Sequence, residues 1–272
     1  MATETWCAVV RLLKLMDSDI RKWLLWIDQA PRPGWANMAI DHSLLERAEQ
    51  LGESWLRLYQ WAPHCLSFGR HEPATRRYDR GRIAALGLDA VRRPTGGRAV
   101  WHAQELTYAV AAPTSHFGSL GAAYLKIHAT LAEALCTLGA AASLAPPART
   151  QPVGAGACFS QAAGGEIMFS GRKAVGSAQL RQGSALLQHG SILLSDNQAV
   201  VLDVMSGERS AHESIPLIEP WAQAPDIAEA IAGAAARRWP GAWQRIPDEK
   251  PMLSHASNNF PHYRSAAWTW AR

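Results

Sequence analysis

The sequence predicts a mixed α+β domain, and three observations carry that prediction. Strand-like and helix-like stretches are intermixed along the chain without the regular strand-helix-strand rhythm of a doubly wound sheet. Ala122 to Leu138 sets Tyr124, His128, Leu131, Leu135 and Leu138 at spacings of four, three, four and three, one face of a helix. Glu166 to Leu194 holds three β-rich runs parted by Ser170-Gly171 and Gly183-Ser184, the pattern of a three-stranded meander.

Taken in order, Trp23 to Asp28 reads as a short strand, closed by the turn residues Pro31, Pro33 and Gly34. Asn37 to Glu49 reads as a helix whose stripe of Met38, Leu45 and Ala48 also carries Asp41, a carboxylate that needs a buried partner there; a structural salt bridge is the expected role. Trp55 to Trp61 and Cys65 to Phe68 read as a strand pair around Ala62-Pro63-His64, followed by a short helix over Asp79 to Leu86. Glu105 to Ala112 alternates Leu106, Tyr108 and Val110 against Thr107 and Ala109, which predicts a half-buried strand. On the following helix His128 is expected to be a hydrogen-bonded core histidine. Ala140 to Pro152 reads as a linker or surface loop, and Ile227 to Arg238 as a further helix.

A chain of 272 residues with 48% hydrophobic and 18% charged residues can bury a sizeable core, and one large domain from 23 to 272 is expected behind an extension over 1–22. Arg11 and Lys14 interrupt the apolar residues of that extension, so it reads neither as a secretory segment nor as a membrane span. The net charge of +4 is too small and dispersed to point to nucleic acid. Four Cys, at 7, 65, 136 and 158, lack the spacing of a zinc site or a disulfide framework, and reduced thiols in a cytoplasm fit better. The Trp residues, from Trp6 to Trp270, have no repeat period and read as packing.

Two segments carry candidate chemistry. Gly154 and Gly156 precede a lone Cys158, and Lys173 opens the middle strand of the meander fifteen positions on. A thiol becomes a strong nucleophile when a nearby ammonium or backbone N–H groups stabilise its thiolate. Lys173 shares its strand face with Val175, Ser177 and Gln179, while Ala174, Gly176 and Ala178 leave the other face almost bare for a slender ligand. An ammonium aimed into such a groove would hold an acyl carbonyl, stabilise an oxyanion or exchange a proton during aminolysis. The second segment, Arg92-Arg93-Pro94-Thr95-Gly96-Gly97-Arg98, can present N–H groups, with Arg93 and Arg98 at its edges to meet carbonyl or phosphate oxygens. It matches neither a Walker loop nor GxGxxG. His102 and His189 could line the same site, but neither has a recognisable Ser or Asp partner in the sequence, so a hydrolase triad is not expected.

These segments together resemble the lipoate-protein ligase and octanoyltransferase family. The match runs in order through Asn37-Met38-Ala39-Ile40-Asp41, the Arg-Arg-Pro-Thr-Gly-Gly turn up to His102, Gly171-Arg172-Lys173 through Gln179, and Leu187-Gln188-His189-Gly190-Ser191-Ile192. The resemblance implies a class II aminoacyl-tRNA synthetase or biotin ligase-like α+β domain with a central mixed sheet flanked by helices. It further implies an acyl chain held by Arg93, Thr95, Gly96, Gly97, Arg98, His102, Gly176, Ser177, Ala178 and His189, with Cys158 and Lys173 as the catalytic pair. Cys158 ahead of the Gly-Arg-Lys motif, and Arg98 where adenylate-forming members often carry a third glycine, resemble the octanoyltransferase branch. Ala103 departs from the Asp that members often carry after the histidine. That branch moves octanoyl from acyl carrier protein to a lysine of a lipoyl carrier domain, such as the glycine-cleavage H protein, with no cofactor, metal, nucleic acid or membrane. The alternative within the family is an ATP-dependent lipoate ligase, which would bring ATP and magnesium.

Overall fold

The computed structural model describes residues 21–146, 165–169, 171–195, 198–206 and 223–271. Cys7 and Cys158, and the Gly154 and Gly156 before the latter, lie outside the described residues.

Eight strands form one mixed sheet in the order β11-β1-β2-β6-β10-β9-β8-β7. These are β1 (Lys22–Ile27), β2 (Ser54–Tyr59), β6 (Glu105–Pro113), β7 (Ala142–Leu144), β8 (Ile167–Phe169), β9 (Arg172–Gln182), β10 (Ala185–Leu193) and β11 (Ala242–Arg245). β1 pairs in parallel with β2 and β11, and the remaining neighbours are antiparallel. A small sheet sets β3 (Cys65–Phe68) between β4 (Asp89–Arg92) and β5 (Val100–His102).

Helices cover both faces of the large sheet, as the α+β reading requires. On one face α2 (Leu120–Thr137) and α3 (Ala224–Arg238) pack Ile127, Leu131 and Ile231 on Leu56, Leu58, Leu106, Tyr108 and Val110. On the other, α1 (Gly34–Leu51) packs Met38, Ile40, Leu44 and Leu45 on Trp55, Tyr59, Ala109 and Ala111, and the C-terminal helices Lys250–Ala256 and Phe260–Arg264 close over it. This two-sided cover corrects one expectation: β6 is not half-buried but buried along nearly its whole length, Thr107, Ala109 and Ala111 included. Small and hydroxyl side chains can face a core when a helix fits closely against them, so period-2 alternation alone does not report exposure.

Two further expectations are corrected. The runs at 54–59 and 65–68 are strands, yet they lie in different sheets rather than pairing with each other. The stretch after Ala140, read as loop, adds the edge strand β7 to β8, with Ala142 opposite Phe169. The meander is as expected, β8-β9-β10, and the helices at 34–51, 80–85, 120–137 and 224–238 agree with the periodic stretches to within a few residues. Among the described residues no helix is long and apolar enough to cross a membrane.

Candidate active site

The Arg92-Arg93 pair explains how a glycine turn becomes a fixed wall. Both guanidinium groups are buried and spent on backbone carbonyls. Arg92 donates to Gly69, Arg70 and Glu72 and, across the fold, to Trp268 and Ala271. Arg93 donates Nη1 to the Ser67 carbonyl and to Ser67 Oγ, both at 3.0 Å, and uses Nε and Nη2 on the carbonyls of Gly96 and Arg98. A guanidinium has five N–H donors, and these contacts occupy all of them. Arg93 thus clamps the loop. Gly97 takes φ +94°, where a Cβ would also lie 2.7 Å from Arg93 Nη2, so the clamp needs glycine there.

Behind the loop is a cavity that opens to solvent, with about 430 Å³ of empty space when its open mouth is included. Met38 of α1, Trp61 and Val100 give it hydrocarbon walls, and Gly176, Ala178 and Gly190 contribute mostly backbone. Polar groups enter at Tyr59, Ser67, His102, Thr107, Ser177, His189 and Ser191, with the Arg93 and Gly97 loop at one side. Seven of the ten residues expected to hold an acyl chain thus line one cavity: Arg93, Gly97, His102, Gly176, Ser177, Ala178 and His189. Thr95, Gly96 and Arg98 belong to the loop but not to the lining. A Cβ on Gly190 would lie 2.4 Å from Ser177 Oγ and 2.5 Å from the Gly176 carbonyl. Gly190→Ala is accordingly expected to part β9 from β10 and cost about 1–3 kcal/mol, read from its urea midpoint, with weakened acyl binding.

Three buried polar networks meet at this cavity. Asp41 accepts from Arg57 Nη1 at 3.0 Å, from the Tyr59 hydroxyl at 2.7 Å and from His189 Nδ1 at 2.8 Å, while His189 Nε2 lies 2.6 Å from Thr95 Oγ1. The expected salt bridge is present, and Asp41 also fixes His189 with Nδ1 protonated and Nε2 accepting from Thr95. His102 is placed likewise: Nδ1 lies 2.8 Å from Glu105 Oε1, Nε2 lies 2.7 Å from Ser67 Oγ, and the ring stacks on Trp61 at 3.9 Å. No Ser or Asp partner of either histidine was recognisable in the sequence; the structure gives His189 Asp41 and Thr95, and His102 Ser67 and Glu105. Strand β3 supplies Ser67 and the glycine loop Thr95, and Glu105 stands three residues from His102.

The third network runs from the Gly165 carbonyl through His128 to Ser177, Tyr108, Gln188 and Gln179, with successive contacts of 2.7 to 2.8 Å. Burial, with the Lys173 ammonium adding to it, lowers the His128 pKa to about 4, so the ring is neutral near pH 7. Its Nδ1–H donates to Gly165 and its Nε2 accepts from Ser177, which in turn accepts from Tyr108. His128 is buried and hydrogen-bonded, as expected. Lys173 is nearly buried and pairs with Glu166 Oε1 at 2.8 Å. Lys173 is not among the described residues that line the cavity.

The lipoyl protein ligase A/B catalytic domain family matches residues 33–220, a span that includes every described residue of the cavity lining. The chain belongs to this family. Within it, the chain is 40% identical over 161 residues to the octanoyltransferase LipM of Carboxydothermus hydrogenoformans, covering 58% of this chain and 60% of that protein. It is 36% identical over 171 residues to the octanoyltransferase LipM of Macrococcus caseolyticus, covering 59% and 62%. The matches thus span about 60% of the length of these curated relatives. Protein Ta0514 of T. acidophilum, solved with bound lipoic acid, superposes with a TM-score of 0.73 at 18% identity over 93% of this chain and all of that one. A lipoate-protein ligase A solved with ATP gives 0.73 at 18% identity, over 92% and 99%. These likenesses establish the lipoyl ligase A/B fold for the large sheet and its helices.

The sequence reading of this family member missed Met38, Tyr59, Trp61, Ser67, Val100, Thr107, Gly190 and Ser191 as wall residues. Gly190 and Ser191 stand inside a segment already marked by resemblance. Ser67 carried no local signal, because a strand serine is ordinary until a guanidinium from the glycine loop and a histidine from another strand reach it.

Proposed function

We propose that this protein is an octanoyltransferase, moving an octanoyl group from acyl carrier protein to a lysine of a lipoyl carrier domain such as the glycine-cleavage H protein. The observation that carries the reading is the hydrocarbon-walled cavity behind the glycine loop, inside the span that matches the family model, in a chain 40% identical over 161 residues to an octanoyltransferase. Cys158 attacks the octanoyl thioester: its sulfur bonds the acyl carbon and the carrier thiol leaves. The target amine then attacks the acyl-enzyme, the C–S bond breaks and the amine's proton ends on the Cys158 sulfur, with Lys173 assisting the oxyanion or that proton movement. Exchange of one thioester for another is nearly balanced in free energy, so the route takes no nucleotide. Residues 23–272 act as one catalytic domain in the cytoplasm, where thiols stay reduced.

The test is an assay with octanoyl carrier protein and an H protein, without ATP. Intact mass at acid pH should show one octanoyl adduct on the wild type and none on Cys158→Ala, with transfer by that variant lower by about a thousandfold or more. An adduct that persists in Cys158→Ala would rule the route out. Lipoate-dependent release of pyrophosphate from ATP would assign the protein to the ligase branch.

A further inference from the structure

His128, a core histidine by its place on α2, touches two parts of the candidate site at once. Its Nε2 lies 2.8 Å from Ser177 Oγ, and Ser177 lines the cavity. Its Nδ1 lies 2.7 Å from the Gly165 carbonyl, and the residue after Gly165 is Glu166, which pairs with the Lys173 ammonium at 2.8 Å. The hydrogen bonds run one way. Because a carbonyl only accepts, Nδ1 carries the proton of the neutral ring, so Ser177 donates to Nε2, Tyr108 to Ser177, Gln188 to Tyr108 and Gln179 to Gln188. The far end is anchored too, since Gln179 Nε2 also donates to the Leu120 carbonyl at the head of α2. Ser177 is thereby held with its hydrogen turned to His128, and the cavity meets no idle donor from that hydroxyl.

Lys173 and Ser177 stand four residues apart on β9 and share its face. His128, Gly165, Glu166, Lys173 and Ser177 therefore close a ring of contacts, with α2 as one side and β9 as the other. Regular pairing of β8 with β9 begins at Ile167, beside a register shift, so Gly165 and Glu166 lie outside that ladder. At this corner α2 supplies close packing and a donor: a Cβ on Gly165 would lie 2.9 Å from Leu125 Cδ2, and His128 binds the Gly165 carbonyl. A buried ion pair is placed only as well as the backbone that carries its carboxylate.

We propose that His128 is a positioning residue for the transfer, bonding Gly165 to place the Glu166–Lys173 pair and bonding Ser177 to fix the cavity wall; this rests on the acyl-transfer reading above. The two bonds act on different steps. Ser177 borders the space of the acyl chain, so a hydroxyl released from His128 turns a polar hydrogen into that space and weakens binding. Lys173 acts while bonds form and break, so a shift of its carboxylate partner lowers turnover and leaves binding alone. His128 itself touches no reacting atom.

The experiment cuts one bond at a time. Asparagine at 128 sets an amide nitrogen where Nδ1 stands and keeps a donor for Gly165, whereas glutamine sets an amide oxygen where Nε2 stands and keeps an acceptor for Ser177. With octanoyl carrier protein as donor and an H protein as acceptor, His128→Gln should lose kcat by about 10- to 100-fold with KM for the donor near wild type. His128→Asn should instead raise that KM about 3- to 10-fold with kcat near wild type. Ser177→Ala, a change of one atom, should match His128→Asn. Circular dichroism melts identify a variant that fails to fold; the surviving histidine variant is then compared with Ser177→Ala, which glutamine must differ from in kcat and asparagine must resemble. The same loss of kcat in both histidine variants, or wild-type kinetics in both beside a lowered melt, overturns the proposal and leaves His128 a core residue. A wild type that transfers no octanoyl defeats the acyl-transfer reading and this role with it, a result distinct from an active wild type whose variants do not split.

Discussion

Replacing Arg57 by leucine is expected to destabilise the protein by about 3–5 kcal/mol at pH 7, a larger loss than Gly190→Ala should cause. The Arg57 side chain is fully buried, and its Nη atoms lie 2.8 Å from Asp28 and 3.0 Å from Asp41, whose carboxylates are also fully buried. Nη2 also donates to Asn37 Oδ1 at 2.8 Å, and the guanidinium sits 3.9 Å from the Tyr59 ring centroid. Removing the cation leaves Asp41 without a positive partner and Asp28 with Arg32 alone. Burial pushes the Asp28 carboxyl upward, but the Arg57 charge and the bonds from Arg32 and Arg57 outweigh it and hold the group below the ordinary carboxylate range. A carboxyl depressed in the folded state contributes stability that is complete above its unfolded pKa of about 3.9 and is lost as pH falls through its folded value. The variant should behave oppositely, since an uncompensated buried carboxyl takes up a proton early. Urea midpoints at pH 7 and pH 4 should therefore show the gap between wild type and Arg57→Leu narrowing with acid. A gap of equal size at both would mean that lost packing, not lost charge, sets the cost.

Lys173→Met is expected to lower octanoyl transfer by about 100- to 1,000-fold, the range for loss of one group that stabilises a developing oxyanion. The same substitution strands Glu166, which is buried and 2.8 Å from the Lys173 ammonium, so a stability loss accompanies it. The two effects separate because activity can be assayed below the melting transition of the variant. Lys173→Arg keeps the charge near Glu166, and a planar fork seldom replaces a point charge in function. It should recover most of the stability and little of the rate. Full recovery of both would make Lys173 a structural partner of Glu166 and nothing more.

The parts of the fold that were legible in the sequence are those whose signal is local. Tyr124, His128, Leu131 and Leu135 mark α2 because a helix returns a residue to the same face every three or four positions, whatever lies beyond. The meander is legible because Gly171 and Gly183, both with positive φ, stand at its two turns. The partner of a strand is not written locally, which is why β2 and β3 read as a pair and instead fell into separate sheets. The same limit made β6 look half-exposed, since the sequence shows alternation but not the helix that covers the second face.

The candidate site divides along the same line. The glycine turn, the bare Gly176 and Ala178, and the histidines at 102 and 189 were identifiable from residue type and from resemblance, and one cavity gathers seven of the ten expected residues. Their roles were not. Arg93 had the composition of an oxygen-binding residue and proves to hold its own loop. His102 and His189 had no visible partners, yet Ser67 and Asp41 reach them across 35 and 148 residues of chain.

Periodicity, turn chemistry and composition, each decided within a few residues, were enough to determine the fold class and most of its elements. Only tertiary structure decided which donor meets which acceptor. A hydrogen bond acts over about 3 Å, and that distance is set by how sheets and helices stack rather than by separation along the chain.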